Sequence, residues 1–112
     1  MAEKSVDTPI VPEPTDEDLL RARVRLPQHV VHRSFVAETV VLNLRTGKYH
    51  GLNPTAGRML EALEAAPTVG DAVSPLATEY GLERARIEAD LLELTRGLLG
   101  RGLIVTADDD GG

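Results

Sequence analysis

Residues 38–64 read ETVVLNLRTGKYHGLNPTAGRMLEALE, and the pattern changes twice within them. Glu38 to Asn43 is β-branched and alternating, with Val40 and Leu42 toward one face and Val41 and Asn43 toward the other. Lys48 to Leu52 resumes an extended pattern. The link Leu44-Arg45-Thr46-Gly47 suits a type I turn that closes with glycine in the left-handed region, a common hairpin closure. Asn53-Pro54 then switches the chain to helix. Asparagine accepts hydrogen bonds from the first free amides, and proline sits comfortably at the next position, where no amide partner is needed. Ala56, Met59, Leu60 and Leu63 follow at helical spacing and form one apolar stripe, which ends before Pro67.

Working outward, Val30 to Arg33 reads as a first strand, with Val24 to Leu26 leading into it and Phe35-Val36 as an extension. Downstream, Thr68 opens a second helix, with Asp71 at the capping-box position. Val69, Ala72, Val73, Leu76 and Tyr80 form its stripe, and Gly81 is a natural stop. Pro75 inside that stripe predicts a kink or a short 3₁₀ start, because an interior proline removes a backbone bond. The third helix, about 83–101, is the longest. Ile87, Leu91, Leu94 and Leu98 make its stripe, and Leu92 and Leu99 widen it. Gly97 and Gly100 weaken its last turns by about 1 kcal/mol each relative to alanine. After Gly102 the run Leu103-Ile104-Val105 folds back over the core. The order predicts an α+β domain: a three-stranded antiparallel β-meander followed by a three-helix bundle, winged-helix-like in character.

With 112 residues, 42% of them apolar and only Phe35, Tyr49 and Tyr80 aromatic, the chain can close one core but not a second lobe. No apolar run approaches a membrane span. The N-terminal MAEKSVDTPIVPEPTDED places acids and prolines where a secretory signal needs an apolar stretch, so a soluble, cytoplasmic protein is expected. Residues 1–23 hold six acids and three bases, and Asp108 to Asp110 add three acids near the C-terminus. Residues 24–105 hold nine of each sign, so the net charge of −6 lies wholly in the ends. Both ends, 1–23 and 106–112, read as solvated tails. Asp16, Glu17 and Asp18 ahead of Leu19-Leu20 are suited to nucleate a helical turn.

The chemistry for an enzyme is missing. With no cysteine there is no disulfide, thiolate metal site or cysteine nucleophile. His29 and His32 are three apart in an extended segment, so they point to opposite faces and do not chelate, and His50 is distant in sequence. Ser34 and Ser74 lack a nucleophile elbow, and Gly47 and Gly51 do not form a phosphate loop. The acids and arginines of 83–101 interleave as on a solvated helix face. We therefore expect no catalytic residues, no metal and no cofactor. A winged-helix nucleic-acid binder is the competing reading of the same fold. In the third helix, however, Arg84, Arg86, Arg96 and Arg101 are cancelled by Glu83, Glu88, Asp90 and Glu93, and nucleic-acid affinity rests on net basic charge.

Binding remains. If the meander runs in sequence order, 48–52 is an edge strand with unpaired backbone groups open to an extended peptide. Lys48 sits at its end as a guard against indiscriminate pairing. Gly51 removes a side chain, either to let another backbone approach or to relieve crowding against the third helix.

The run ETVVLNLRTGKYHGLNPTAGRMLEALE resembles the PqqD family, the small peptide-binding domains also called RiPP recognition elements, and IEADLLELTRGLLGRGLIV is similar to that family's third helix and closing segment. The resemblance covers about 26–105 and departs at Pro75, Gly97, Gly100 and the acidic N-terminal stretch. It implies a peptide-binding domain over 24–105 that takes up the leader of a ribosomally made precursor peptide. The leader adds as an antiparallel strand to Lys48, Tyr49, His50, Gly51 and Leu52, in the groove facing the helix from Ile87 to Leu98. It is then presented to a modifying enzyme such as a radical SAM enzyme, a leader peptidase or a cyclase. Asp90 falls where the family commonly has an acid, and is expected to hold a basic or polar leader group. Four added backbone hydrogen bonds supply roughly 2–6 kcal/mol. Micromolar binding needs about 8 kcal/mol net, after an association cost of at least about 4. Leader side chains must therefore bury apolar area, and Tyr49, Leu91 and Leu94 are the candidates to receive them. The domain is expected to be a monomer or a weak homodimer, the dimer using the same strand edge.

Overall fold

The computed structural model describes residues 14–107. The hairpin forms as its sequence dictates. Strand β2 is Val30–Ser34, β3 is Thr39–Asn43 and β4 is Tyr49–Leu52. They pair antiparallel in the order β2-β3-β4, in registers His32↔Val41 and Val41↔His50. Gly47 has φ +75° and donates its amide to the Asn43 carbonyl at 2.8 Å, closing the turn. Strand β2 stops at Ser34, short of the expected Phe35-Val36 extension. The Phe35 amide there turns back onto the Glu38 carbonyl at 2.7 Å, and 35–38 becomes the first hairpin's loop.

Helix α2, Pro54–Ala65, starts as expected: the Asn53 side chain accepts from the Ala56 amide at 2.8 Å, with proline in the first turn. Of the two outcomes expected at Pro75, the short 3₁₀ start is the one found. A 3₁₀ turn at Gly70–Ala72 leads into α3, Val73–Tyr80, which places Pro75 in the first turn, where helix amides have no partner to lose. Thr68 does not form a reciprocal capping box. Its hydroxyl accepts from the Asp71 amide at 3.2 Å and donates to the Asp71 carboxylate at 2.9 Å. Gly81, at φ +64°, ends α3. Helix α4, Arg84–Gly100, is regular through both of its glycines.

The expected tails are shorter than the charge pattern suggests. Of the stretch 1–23, residues 14–23 are built into the fold, and 1–13 lie outside the described residues. Helix α1, Asp16–Arg21, opens with a capping box between Thr15 and Asp18. The hydrogen bond from the Thr15 backbone, then its hydroxyl, holds the Asp18 carboxyl below its ordinary value. Six residues are too few for an isolated helix. Packing holds this one: Leu19 is 1% exposed, and Asp16 meets Arg96 of α4 at 2.8 Å. Strand β1, Val24–Arg25, pairs with β5, Val105–Thr106, so the C-terminal tail cannot begin at 106; residues 108–112 lie outside the described part. Composition missed α1 because one buried leucine among six acids and three bases leaves the average polar.

The core has two parts. Val30, Val41 and Leu52 from the inner sheet face meet Leu60, Leu98, Leu103 and Ile104. Met59, Leu63, Val73, Leu76, Ile87 and Leu91 join the helices. Gly57 sets the distance between α2 and the sheet, because a Cβ there would overlap the Thr39 hydroxyl and lie 2.8 Å from the Thr39 Cβ.

Candidate functional site

Strand β4 has one partner, β3, and no other described strand lies against its far side. The direction of its free groups follows from the ladder. The Asn43 amide donates to the Lys48 carbonyl at 2.9 Å, which makes Asn43 and Lys48 a hydrogen-bonded pair. Antiparallel pairs alternate, so Val41–His50 and Thr39–Leu52 are bonded pairs, whereas Leu42–Tyr49 and Val40–Gly51 are not. The N–H and C=O groups of Tyr49 and Gly51 therefore point away from the sheet, at a spacing that matches an incoming antiparallel strand.

Side chains alternate oppositely. His50 and Leu52 face the helices; Leu52 is buried and His50 half-buried. Tyr49 is 71% exposed on the outer face. It cannot share a pocket with Leu91 and Leu94 as expected, since the sheet separates them. Gly51 does not relieve crowding against α4 either: a Cβ there would meet the mobile end of Glu38, at 2.6 Å from its Oε1. Lys48 is exposed at the hairpin end, and its own amide donates to the Thr46 hydroxyl at 3.1 Å.

Where β4 runs into Asn53 a groove of about 460 Å³ opens between α2 and α4. Its α2 side is Asn53, Thr55, Ala56 and Met59, and its α4 side includes Asp90, Glu93, Leu94, Gly97 and Arg101. Leu52 and Leu98 share one core cluster, so the strand's end and the last turn of α4 are neighbours. Of the four expected α4 residues, the structure brings Asp90 and Leu94 to this groove. Ile87 and Leu91, 1% and 0% exposed, are core. A four-three-four stripe cannot tell groove from core when the groove borders the same stripe. Asp90 is ion-paired with Arg86 at 3.3 Å, and with Glu93 it makes the α4 wall acidic, with Arg101 the cation of the lining at the end of the same helix. Sequence reasoning missed the α2 wall. The Asn-Pro cap places Thr55 and Ala56 there, and Gly97, first seen only as a weak helix former, leaves its part of the floor open.

Among the described residues, no group of three histidines, aspartates or glutamates is arranged to hold a metal ion, and no helix is long and apolar enough to cross a membrane.

The sequence profile of coenzyme PQQ synthesis protein D (PqqD) matches residues 38–104. Two solved structures resemble the chain. TbiB1 in complex with the TbiA(beta) leader peptide is 30% identical, with a TM-score of 0.65 over 71% of this chain and 93% of that one. A lasso peptide synthetase B1 complexed with the leader peptide is 28% identical, with a TM-score of 0.68 over 75% of this chain and 99% of that one. No curated protein matches.

Proposed function

This chain belongs to the PqqD family, and we propose that it captures the leader of a ribosomally made precursor peptide by strand addition and presents it to a modifying enzyme. The observation that carries this reading is the unpaired β4 edge, with the Tyr49 and Gly51 backbone groups facing outward beside the groove between α2 and α4. Both similar structures hold leader peptides, which is what such an edge is built to accept.

The mechanism needs no bond-making. A leader strand antiparallel to β4 exchanges up to four hydrogen bonds with Tyr49 and Gly51, worth roughly 2–6 kcal/mol in all. Its alternate side chains turn toward the helices, on the side of His50, and enter the groove. Apolar leader groups bury against Ala56, Met59 and Leu94 at about 25 cal/mol per Å². Asp90 and Glu93 favour a basic or hydrogen-bond-donating leader residue. As exposed carboxylates they add selectivity rather than much affinity. We assign the peptide-binding unit to the described body of the chain, α1 included, and we assign this chain no catalytic step.

The test is an NMR titration with the leader of a precursor peptide whose gene is identified next to the one for this chain. Amides of Tyr49 and Gly51 and of the groove face of α4 should move together. Saturating leader that leaves these signals in place while shifting others would overturn the mapping.

A further inference from the structure

The outer face of the meander is uncovered. All helices pack on the inner face, where Val30, Val41 and Leu52 are buried. On the other side, Val31, Leu42 and Tyr49 form one cross-strand row, and Arg33, Val40 and Gly51 form the next. Phe35 continues the face beyond β2. Val31 is 44% exposed and Phe35 58%, and with Val40 and Leu42 they line a depression of about 460 Å³. A protein that functions alone has little use for so many apolar side chains gathered on one sheet face.

Two observations say what covers it. The first is charge. At the hairpin end the apolar face runs into exposed Leu44 and a second depression of about 720 Å³, where the exposed Arg45 guanidinium adds positive charge. Arg33 lies within the face itself, and the Glu38 carboxylate stands beside Gly51, at the other end of the same cross-strand row. The second is continuity with the strand edge. Tyr49 turns its backbone toward the edge and its ring onto the outer face. A strand added to β4 becomes a fourth row of that face, and half of its side chains join the surface.

We propose that this outer face is the docking surface for the enzyme that acts on the bound peptide, received through an apolar patch whose carboxylates meet Arg33 and Arg45. The inference rests on the peptide-carrier reading. A partner seated there touches the protein and the outward side chains of the guest strand at once. Guest and enzyme therefore strengthen each other's binding, and by linkage the factor is the same in both directions.

The experiment is calorimetric titration of the chain with a peptide-modifying enzyme whose gene is identified next to the one for this chain, with and without the leader of a precursor identified in the same way. The variants are Val31→Ser with Phe35→Ser, and separately Arg45→Glu. Both sites are exposed, so the fold is retained, and unchanged leader affinity confirms this in the same experiment. The double variant should weaken enzyme binding at least tenfold while leader affinity stays within about twofold. Arg45→Glu should weaken it less, and increasingly so at low salt. Leader should raise enzyme affinity for the wild type. Enzyme binding that ignores both variants overturns the proposal, as does a wild type that fails to bind the enzyme with leader present. So does a wild-type dimer, seen by light scattering, that the double variant converts to monomer, since a second copy would then cover the face. A wild type that ignores the leader yet binds the enzyme through this face would sink the carrier reading and leave the docking surface standing.

Discussion

The meander has two open edges, and they are not equivalent. On β2 the alternation leaves the backbone groups of His32 and Ser34 pointing outward, just as Tyr49 and Gly51 do on β4. What lies beneath each edge differs. Under β2, helix α2 presents Glu64, bonded to His32 Nε2 at 2.8 Å, and Glu61, which accepts from the Ser34 hydroxyl at 3.5 Å. An incoming strand would lay its inner-face side chains against two carboxylates rather than into an apolar groove. At the end of β4, from Asn53 onward, opens the groove lined by Leu94 and Met59. Ladder hydrogen bonds are worth the same on either side, so the choice of edge rests on the burial available to alternate side chains. Natural sheets blunt an edge with charge where pairing is unwanted, and β2 fits that description.

The sharpest way to break this comparison is to remove one outward donor from each edge in turn. Gly51→Pro deletes an amide that makes no bond within the sheet and places a ring where the guest backbone must come. Proline is tolerated at sheet edges for that reason. Leader affinity should fall by at least tenfold, about 1.4 kcal/mol or more, with little change in urea stability. Ser34→Pro makes the matching change on β2 and should leave affinity within about twofold. Equal losses in the two variants, measured by fluorescence anisotropy of a labelled leader, would mean that the edges are interchangeable and the groove irrelevant.

The second prediction concerns the helix that makes the edges differ. Helix α2 lies against β3 because Gly57 has no Cβ to strike Thr39, itself buried and bonded to the Ser34 hydroxyl at 2.9 Å. Two effects of Gly57→Ala have opposite sign. Helix propensity alone favours alanine by about 1 kcal/mol. Overlap with a buried β-branched side chain costs about 1–3 kcal/mol. We expect overlap to win, because Thr39 is held on both sides of its strand and cannot retreat, so urea unfolding should show a net loss. Adding Thr39→Ala should recover part of it. A single variant more stable than wild type would show that α2 can lift from the sheet without penalty, and the carboxylates under β2 would then not be fixed in place.

The hairpin, the Asn53 cap and the length of α4 were legible because each rests on local chemistry: alternation, a left-handed glycine, a side-chain acceptor before proline. The edge position of 48–52 was legible from strand order. The site was only half legible. Lys48 to Leu52 were identified as a block, yet which backbone groups face out depends on the Asn43–Lys48 bond, a pairing register that sequence does not fix. Ile87 and Leu91 share a stripe with Leu94, and their packing with Leu63, Val73 and Leu76 makes them core. The role of Gly57 and the burial of Leu19 escaped notice for one reason: both are set by residues 18 positions away or more, Thr39 for one and Arg96 and Leu99 of α4 for the other.

The smallest effect lies on the flank of α4 away from the groove, where α1 braces it through Leu19 and the Asp16–Arg96 pair. The Asp18 carboxylate caps α1 by accepting from the Thr15 amide at 3.1 Å, and that bond, with a lesser one to the Thr15 hydroxyl, lowers its ionisation range. A carboxyl depressed in the folded state contributes stability above its unfolded range, and the contribution is lost as pH falls through the folded value. Wild type should therefore lose more thermal stability between pH 5 and about pH 3 than Asp18→Asn does, by an amount near the limit of detection because the group is fully exposed. The more telling readout is local. Amide exchange in α1 should accelerate with acid while that of Tyr49 and Gly51 keeps its neutral-pH pattern. If acid instead perturbs β4 as early as α1, the brace and the binding edge are one cooperative unit. The difference between the two edges would then depend on α1 as much as on α2.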